Sequence, residues 1–320
     1  MKSRRRFVLF LCGILFVVFG PYIWSRAASS GRRILIRTNG IQVANPTEPS
    51  ARELRVCCYN VAHGRGLNVD NWTDDTKAER LERLDAIAKL LSKIDADVVA
   101  LNEVDFSSSW SHGVNQAAYL AEKAGYRYHS EERNYDWRVV HYTWKFGNAI
   151  LSKYPIKKAD EVSYPSYQTW ENWMAGKKRG LCCEIELGDS LVRVAAIHLS
   201  HRSEDVRVES ARMLCELAKS GSSPLVIAGD FNSSPPEFAL SATSARGENA
   251  VAILDESTLF RRFPDAMPDE TGMTFHADDP TRVIDWIMIP QDWRFDAYDV
   301  VDSTLSDHRP VVATISLDSD

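Results

Sequence analysis

The chain predicts an α/β protein in which two β-sheets pack face to face under a cover of helices. Three observations lead there. Short apolar runs bounded by turn formers recur between residues 54 and 316. Helical spacing interrupts them only a few times, unlike the steady strand–helix alternation of a doubly wound parallel sheet. Several of the runs also end on a carboxylate, an amide or an imidazole, which places polar chemistry at strand ends.

Residues 54–60 read as the first strand, emptying into the polar loop His63-Gly-Arg-Gly66. Over 75–94, Leu81, Leu84, Ala88 and Leu91 recur at helical spacing, and a helix is expected. Residues 97–103 form the next strand and close on Glu103. A second helix is expected over 115–123, stopped by Gly125. Strands follow at 148–152, 181–187 and 191–199, the last carrying His198. A helix over 204–219 precedes the apolar strand 224–229, from which Asp230 and Asn232 emerge. Strands 283–289 and 311–316 complete the set, the latter directly after Asp307 and His308.

With 320 residues, 44% of them apolar, the chain can bury a full core. One large domain over 52–318 is expected, because no linker-like stretch interrupts it. Ahead of it lie a basic stretch at 1–6, an uncharged run at 7–24 and a linker at 25–51 that includes the tether 44–50. As a helix the run would span roughly 27 Å, enough for a bilayer core. Its bulky Phe and Trp residues favour a retained, single-pass anchor with the domain on the non-cytoplasmic side. A cleaved signal peptide ending near Ser25-Arg-Ala27 would instead give a secreted protein. Net charge is −6, with no sustained basic run beyond Lys177-Lys-Arg179 and the N-terminal arginines. Nucleic acid is therefore a disfavoured partner, since phosphate neutralisation normally requires a basic stripe. Past the apolar run stand Cys57, Cys58, Cys182, Cys183 and Cys215. An odd count in adjacent pairs on strands reads as buried thiols, with a bridge between the pairs as the alternative.

The motifs Tyr-Asn60, Asn-Glu103-Val, Gly-Asn148-Ala-Ile-Leu-Ser152, His198-Leu-Ser, Gly-Asp230-Phe-Asn232, Ile-Asp285-Trp and Ser-Asp307-His308 occur in that order. Together they resemble the endonuclease/exonuclease/phosphatase superfamily over roughly residues 52–318. The segment from Tyr59 to Gly66 further looks like the branch related to a domain of GPI-lipid remodelling. The resemblance implies a four-layer sandwich of two mixed sheets flanked by helices, and a Mg²⁺-dependent phosphoesterase. It implies Glu103, Asn60 and Asp307 as metal ligands and Asp230 as the group that orients or deprotonates the attacking water. Asn232 would hold a phosphate oxygen and steady Asp230. His308 would face the phosphate with Asp285 orienting its ring, and His198 would be a second phosphate contact.

Elementary chemistry agrees with that assignment. Attack on an anionic phosphorus needs a cation to offset charge, and Mg²⁺ prefers oxygen ligands, with Mn²⁺ able to replace it. The residues alone leave open whether Asp230 or His308 is the general base. Asn148 and Arg65 are weaker candidates for substrate contact, Asn148 having a structural role as its alternative. His63, Lys145 and His201 are candidate loop contacts with anions. His198 and His201 lack a third nitrogen or thiolate partner at suitable spacing, so zinc is rejected. Two aromatic-rich segments, 135–144 and 164–173, are expected to shape the substrate pocket or to touch lipid. The expected activity is hydrolysis of a phosphodiester in a small molecule or lipid head group. A nuclease and a catalytically silent domain of the same fold are the rivals.

Overall fold

Along residues 53–60, Leu54, Val56 and Cys58 enter one core while Cys57 and Tyr59 enter another. This period of two marks a strand buried on both faces, and it fixes the layering of the molecule. The computed structural model describes residues 2–28, 34–39, 53–72, 75–139, 141–168 and 177–317. One sheet has seven strands in the order β1 (Ile34–Thr38), β4 (Tyr128–Val139), β5 (Tyr142–Ser152), β3 (Val98–Asp105), β2 (Glu53–Asn60), β13 (Val311–Ser316) and β12 (Arg294–Val300). The other has six, in the order β10 (Phe260–Arg262), β11 (Asp285–Pro290), β9 (Leu225–Asp230), β8 (Ser190–His198), β7 (Arg179–Leu187) and β6 (Ile156–Ser163).

Each sheet is mixed and holds one parallel pair, β2 with β3 and β8 with β9. A helix links each pair: α2 (Lys77–Ile94) in the first and α4 (Glu204–Ser220) in the second. Val56, Val98 and Ala100 of the seven-stranded sheet meet Cys183, Val194 and Val226 of the other in the central core. Outside, Leu84, Ile87 and Leu91 of α2 and Leu120 of α3 (Gln116–Ala124) cover the first sheet. Ala211 and Leu214 of α4 and Leu254 of α5 (Ala250–Glu256) cover the second. The result is the expected four-layer α/β sandwich.

Local sequence explains the helix ends. Thr76 and Glu79 close a reciprocal capping box at the start of α2. Asn115 caps α3, and Gly125, at φ +84°, ends it.

Two expectations change, and the favoured reading of the cysteines as buried thiols holds. Ile34–Thr38, expected within a linker, pairs antiparallel with β4 as an edge strand, because Ile, Leu and Ile favour the pleated surface. The aromatic stretch 135–144 is a β4–β5 hairpin in which Trp137 and Trp144 stack across the strands at 4.5 Å. No bridge joins the cysteine pairs: all five past the first helix are free and buried.

The helix α1 (Lys2–Ala28) covers the apolar run. Among the described residues no helix is long and apolar enough to cross a membrane; the side chains of Val18, Tyr22 and Trp24 fall outside them. The tether 44–50 and the 169–173 part of the second aromatic segment also lie outside the described residues.

Candidate active site

The carboxyl ends of the two parallel pairs meet across the sandwich. In the seven-stranded sheet these ends carry Asn60 and Glu103, and in the other they carry His198 and Asp230, paired in register. Glu103 sits at φ +52°, where the register of β3 against β5 shifts between Leu101 and Val104. Such a bulge re-aims a side chain. Gly229 has φ +142°, and a Cβ there would lie 2.2 Å from the Ile197 carbonyl oxygen. Only glycine lets β9 run this close beneath Asp230. Fully buried Asn102 pins the sheets together. Its Oδ1 accepts from the Asp230 amide at 3.0 Å, and its Nδ2 donates to Ile197 O and Asn148 Oδ1, both at 2.8 Å.

On that floor stand two groups of acids. In the first, His308 Nδ1 lies 2.9 Å from Asp285 Oδ2, and His308 Nε2 lies 3.8 Å from Asp230 Oδ2. Asn60 Nδ2 donates to Asp230 Oδ2 at 3.2 Å. All four residues are at most 5% exposed. Burial pushes Asp230 up to about 6, with Asp285 adding to the shift and His308 and Lys178 opposing it. Burial works against a charged His308, but Asp285 and Asp230 outweigh it and raise the imidazole to about 10. At neutral pH the group therefore pairs an ionised Asp230 with a protonated His308.

The second group is wetter and bridged by a guanidinium. Arg65 donates from Nη1 to Glu103 Oε2 at 3.3 Å and from Nη2 to Asp307 Oδ2 at 2.8 Å. His63 Nε2 lies 3.4 Å from Glu103 Oε2, and its Nδ1 is 2.9 Å from Asp105 Oδ1. The Glu103 side chain is 26% exposed and that of Asp307 15%. Burial opposes the Glu103 carboxylate, yet His63, Lys178 and Arg65 around it hold it well below the ordinary range.

His198 joins the two groups: its Nε2 is 3.5 Å from Asp230 Oδ2 and 3.8 Å from Glu103 Oε1. Lys178 Nζ stands 2.5 Å from the same nitrogen. Burial and then Lys178 drive the His198 pKa well down, so the ring is neutral.

The structure thus gathers Asn60, Glu103, Asp230, Asp285, Asp307, His308, His198 and Arg65 around one space. Asn232 sits beside it, its backbone N donating to Asp230 Oδ1 at 2.8 Å and its Nδ2 to Leu199 O at 3.2 Å. Asn148 differs from the expectation of substrate contact. It is fully buried, donating to Glu132 Oε2 and Arg179 O and accepting from Asn102. Its amide stitches the floor together below the site. Lys145 reaches towards Asp136 at 3.9 Å. Lys178 and Asp105 were not singled out from sequence. Lys178 lies within a three-residue basic run with nothing to mark the middle one, whereas Asp105, two residues past Glu103 on the same strand, was within reach of a pattern argument.

Two donor sets could hold a cation. Ligand atoms of Asp230, Asp285 and His308 lie within 4.8 Å of one another. A His ligand must offer a bare nitrogen, however, and His308 has its Nδ1 engaged by Asp285. Glu103 and Asp307 present carboxylate oxygens partly open to solvent, and buried Asn60 adds an amide oxygen that also accepts from the Ala62 amide; an oxygen set suits a hard ion that keeps several waters. The second set fits better.

A family model for endonuclease/exonuclease/phosphatase proteins matches residues 57–308. The chain belongs to the endonuclease/exonuclease/phosphatase family. Members of this family hydrolyse phosphoester bonds and commonly use divalent metals. Among solved structures, a member from Beutenbergia cavernae DSM 12333 superposes with a TM-score of 0.60 at 21% identity, covering 83% of this chain and 72% of that one. A mannosyl-6-phosphatase of Bacteroides thetaiotaomicron VPI-5482 gives 0.56 at 16% identity, over 82% of this chain and 99% of its own. The human Nocturnin catalytic domain with bound sulfate gives 0.56 at 16%, over 85% and 99%. At these identities the likeness is one of fold. Comparison with curated proteins returns no match. The narrower likeness to the GPI-lipid-remodelling branch rests on residues 59–66 alone.

Proposed function

We propose that this protein is a metal-assisted phosphoesterase that hydrolyses a phosphodiester in a small molecule or lipid head group through an activated water. The observation that carries this reading is the geometry of the buried group, His308 Nε2 3.8 Å from Asp230 Oδ2 with Asp285 on its Nδ1 and Asn60 on Asp230, in which burial raises Asp230 to about 6 and the two acids raise His308. A base poised near the working pH is matched to deprotonating water, while a held imidazolium can donate to a phosphoryl oxygen. Asp230 takes the water proton as the new P–O bond forms and the bond to the leaving oxygen breaks. That oxygen takes up a proton from solvent to leave as the alcohol, while Asp230 later releases its own. Asp285 fixes the His308 ring, Asn60 and the Asn232 backbone amide orient the Asp230 carboxylate, and Lys178 offsets phosphate charge. Glu103, Asp307 and Asn60 would hold Mg²⁺, or Mn²⁺ in its place. When bound, the ion supplies Lewis-acid polarisation of the phosphoryl oxygen and charge offset at the leaving oxygen.

The test is turnover of bis-p-nitrophenyl phosphate, p-nitrophenyl phosphate, plasmid DNA, sphingomyelin and phosphoinositides, with Mg²⁺ and with EDTA, using Asp230→Asn as control. Metal-dependent hydrolysis lost in the variant supports the reading. Hydrolysis of plasmid DNA alone would make the protein a nuclease, and absence of all turnover would leave a silent domain. Membrane attachment through residues 7–24, with the domain on the non-cytoplasmic side, is proposed from the sequence alone. Carbonate-resistant membrane association with an intact N-terminus would support it, and a mature chain beginning near Ala28 would refute it.

A further inference from the structure

Arg65 lies between the two carboxylates that fit a cation best. Its Nη1 donates to Glu103 Oε2 at 3.3 Å and its Nη2 to Asp307 Oδ2 at 2.8 Å. One guanidinium thus fills the space between both acids, where a single shared ion would touch them. Two carboxylates this close repel each other unless a positive charge is held with them. A guanidinium carries a permanent charge, so Arg65 supplies it. A divalent cation bound by the same oxygens would meet a like charge at contact distance, and the two cannot share that space.

The chain on either side of Arg65 divides into a fixed stem and an exposed arm. Upstream, the His63 carbonyl accepts from Arg80 Nη1 at 2.6 Å and Gln116 Nε2 at 2.7 Å, and the Gly64 carbonyl from Arg83 Nε at 3.0 Å. Downstream, Arg65 Nε donates to Asn68 O at 2.7 Å and Nη1 to Asn71 Oδ1 at 3.4 Å, while Asn68 Nδ2 returns to Arg65 O at 2.9 Å. Val69 is 96% exposed and Trp72 62%, and Trp72 stacks on Tyr142 of the β4–β5 hairpin at 5.7 Å. The guanidinium that spans the acids therefore also holds the arm.

We infer that Arg65 is a built-in stand-in for the divalent cation. It neutralises Glu103 and Asp307, is displaced from them when the ion binds, and frees the arm 68–72 as it leaves. The inference rests on the assignment of Glu103 and Asp307 to the cation within the phosphoesterase reading, and it makes metal occupancy a control on the rim of the site.

Calorimetric titration of the full chain with Mn²⁺ compares wild type with Arg65→Gln and Arg65→Lys. Gln removes the competing charge, so Mn²⁺ affinity should rise by about tenfold or more, and Lys, a point charge that cannot span both acids, should fall between. Unfolding temperatures show that the variants fold. In EDTA, Arg65→Gln should unfold earlier than wild type, its acids being uncompensated, and it should gain more from Mn²⁺. Mg²⁺ should change the tryptophan fluorescence of wild type, and that change should be lost in Trp72→Phe and in Arg65→Gln. Fluorescence indifferent to Mg²⁺ overturns the release of the arm. Mn²⁺ affinity that is unchanged or lower in Arg65→Gln overturns the inference, and the phosphoesterase reading then stands wherever wild type turns over bis-p-nitrophenyl phosphate with Mg²⁺ and not with EDTA. Absence of Mn²⁺ binding in both wild type and Arg65→Gln overturns the inference together with the cation assignment.

Discussion

The two acid groups are built from the same residue types and lie a few ångströms apart, yet they are prepared for opposite tasks. Asp230 and Asp285 are almost wholly buried, and between them they hold a protonated ring. Glu103 and Asp307 are partly open, and Arg65 spans them. Burial raises the first carboxylate towards the working pH, while neighbouring positive charge holds Glu103 firmly ionised. Environment, not residue identity, divides them into a proton-handling group and a cation-holding group.

The substitution that should separate them most sharply is Asp230→Asn. Loss of a positioned base lowers kcat by about 10³-fold, while Mn²⁺ binding measured by calorimetry should stay near the native value. A large loss of metal affinity in that variant would merge the two groups into one. Glu103→Gln should do the reverse, weakening Mn²⁺ binding by about 100-fold, with part of the lost rate returning at high metal concentration. Rate loss without any change in metal binding would place the ion elsewhere.

The pH profile is a finer probe. Because Asp230 must be ionised to accept a proton, kcat/KM should fall about tenfold per unit below about 6 in steady-state assays, and no such limb should follow His308 until about 10. A profile flat down to pH 4 would remove Asp230 from the role of base. The smallest expected effect is on stability. His308 is raised from 6.5 to about 10 on folding, so its contribution is complete below about 6.5 and is lost as pH rises towards 10. Asp230, raised from 3.8 to about 6, acts in the same sense over that lower window. In EDTA the unfolding temperature should therefore drop by roughly 5 °C between pH 6.5 and 10, and Asp285→Asn should flatten the slope.

Much of this division was legible in the chain. Strands that end on Asp230, or begin just after His308, announce polar groups at one edge of a sandwich, and the order of seven motifs fixed the family. The lines that sequence could not draw are those set by distance. Asn148 sits in a matched motif, but only three-dimensional packing shows that its amide is consumed by Glu132, Arg179 and Asn102. Lys178 reaches His198 from the position just ahead of β7, a contact that no local spacing encodes. The β4–β5 hairpin was hidden because its aromatic and charged residues mimic a loop composition, whereas cross-strand stacking of Trp137 on Trp144 holds it extended.

The Asn102 side chain has a mechanical implication. One amide sets how far β3 stands from both β8 and β9, so it acts as a spacer gauge between the halves that carry Glu103 and Asp230. Repacking of the central layer, for example Val226→Ile or Ala100→Val, would then detune the alignment of base and cation before it threatened the fold. In a library of such variants, activity would fail at temperatures where the protein is still folded.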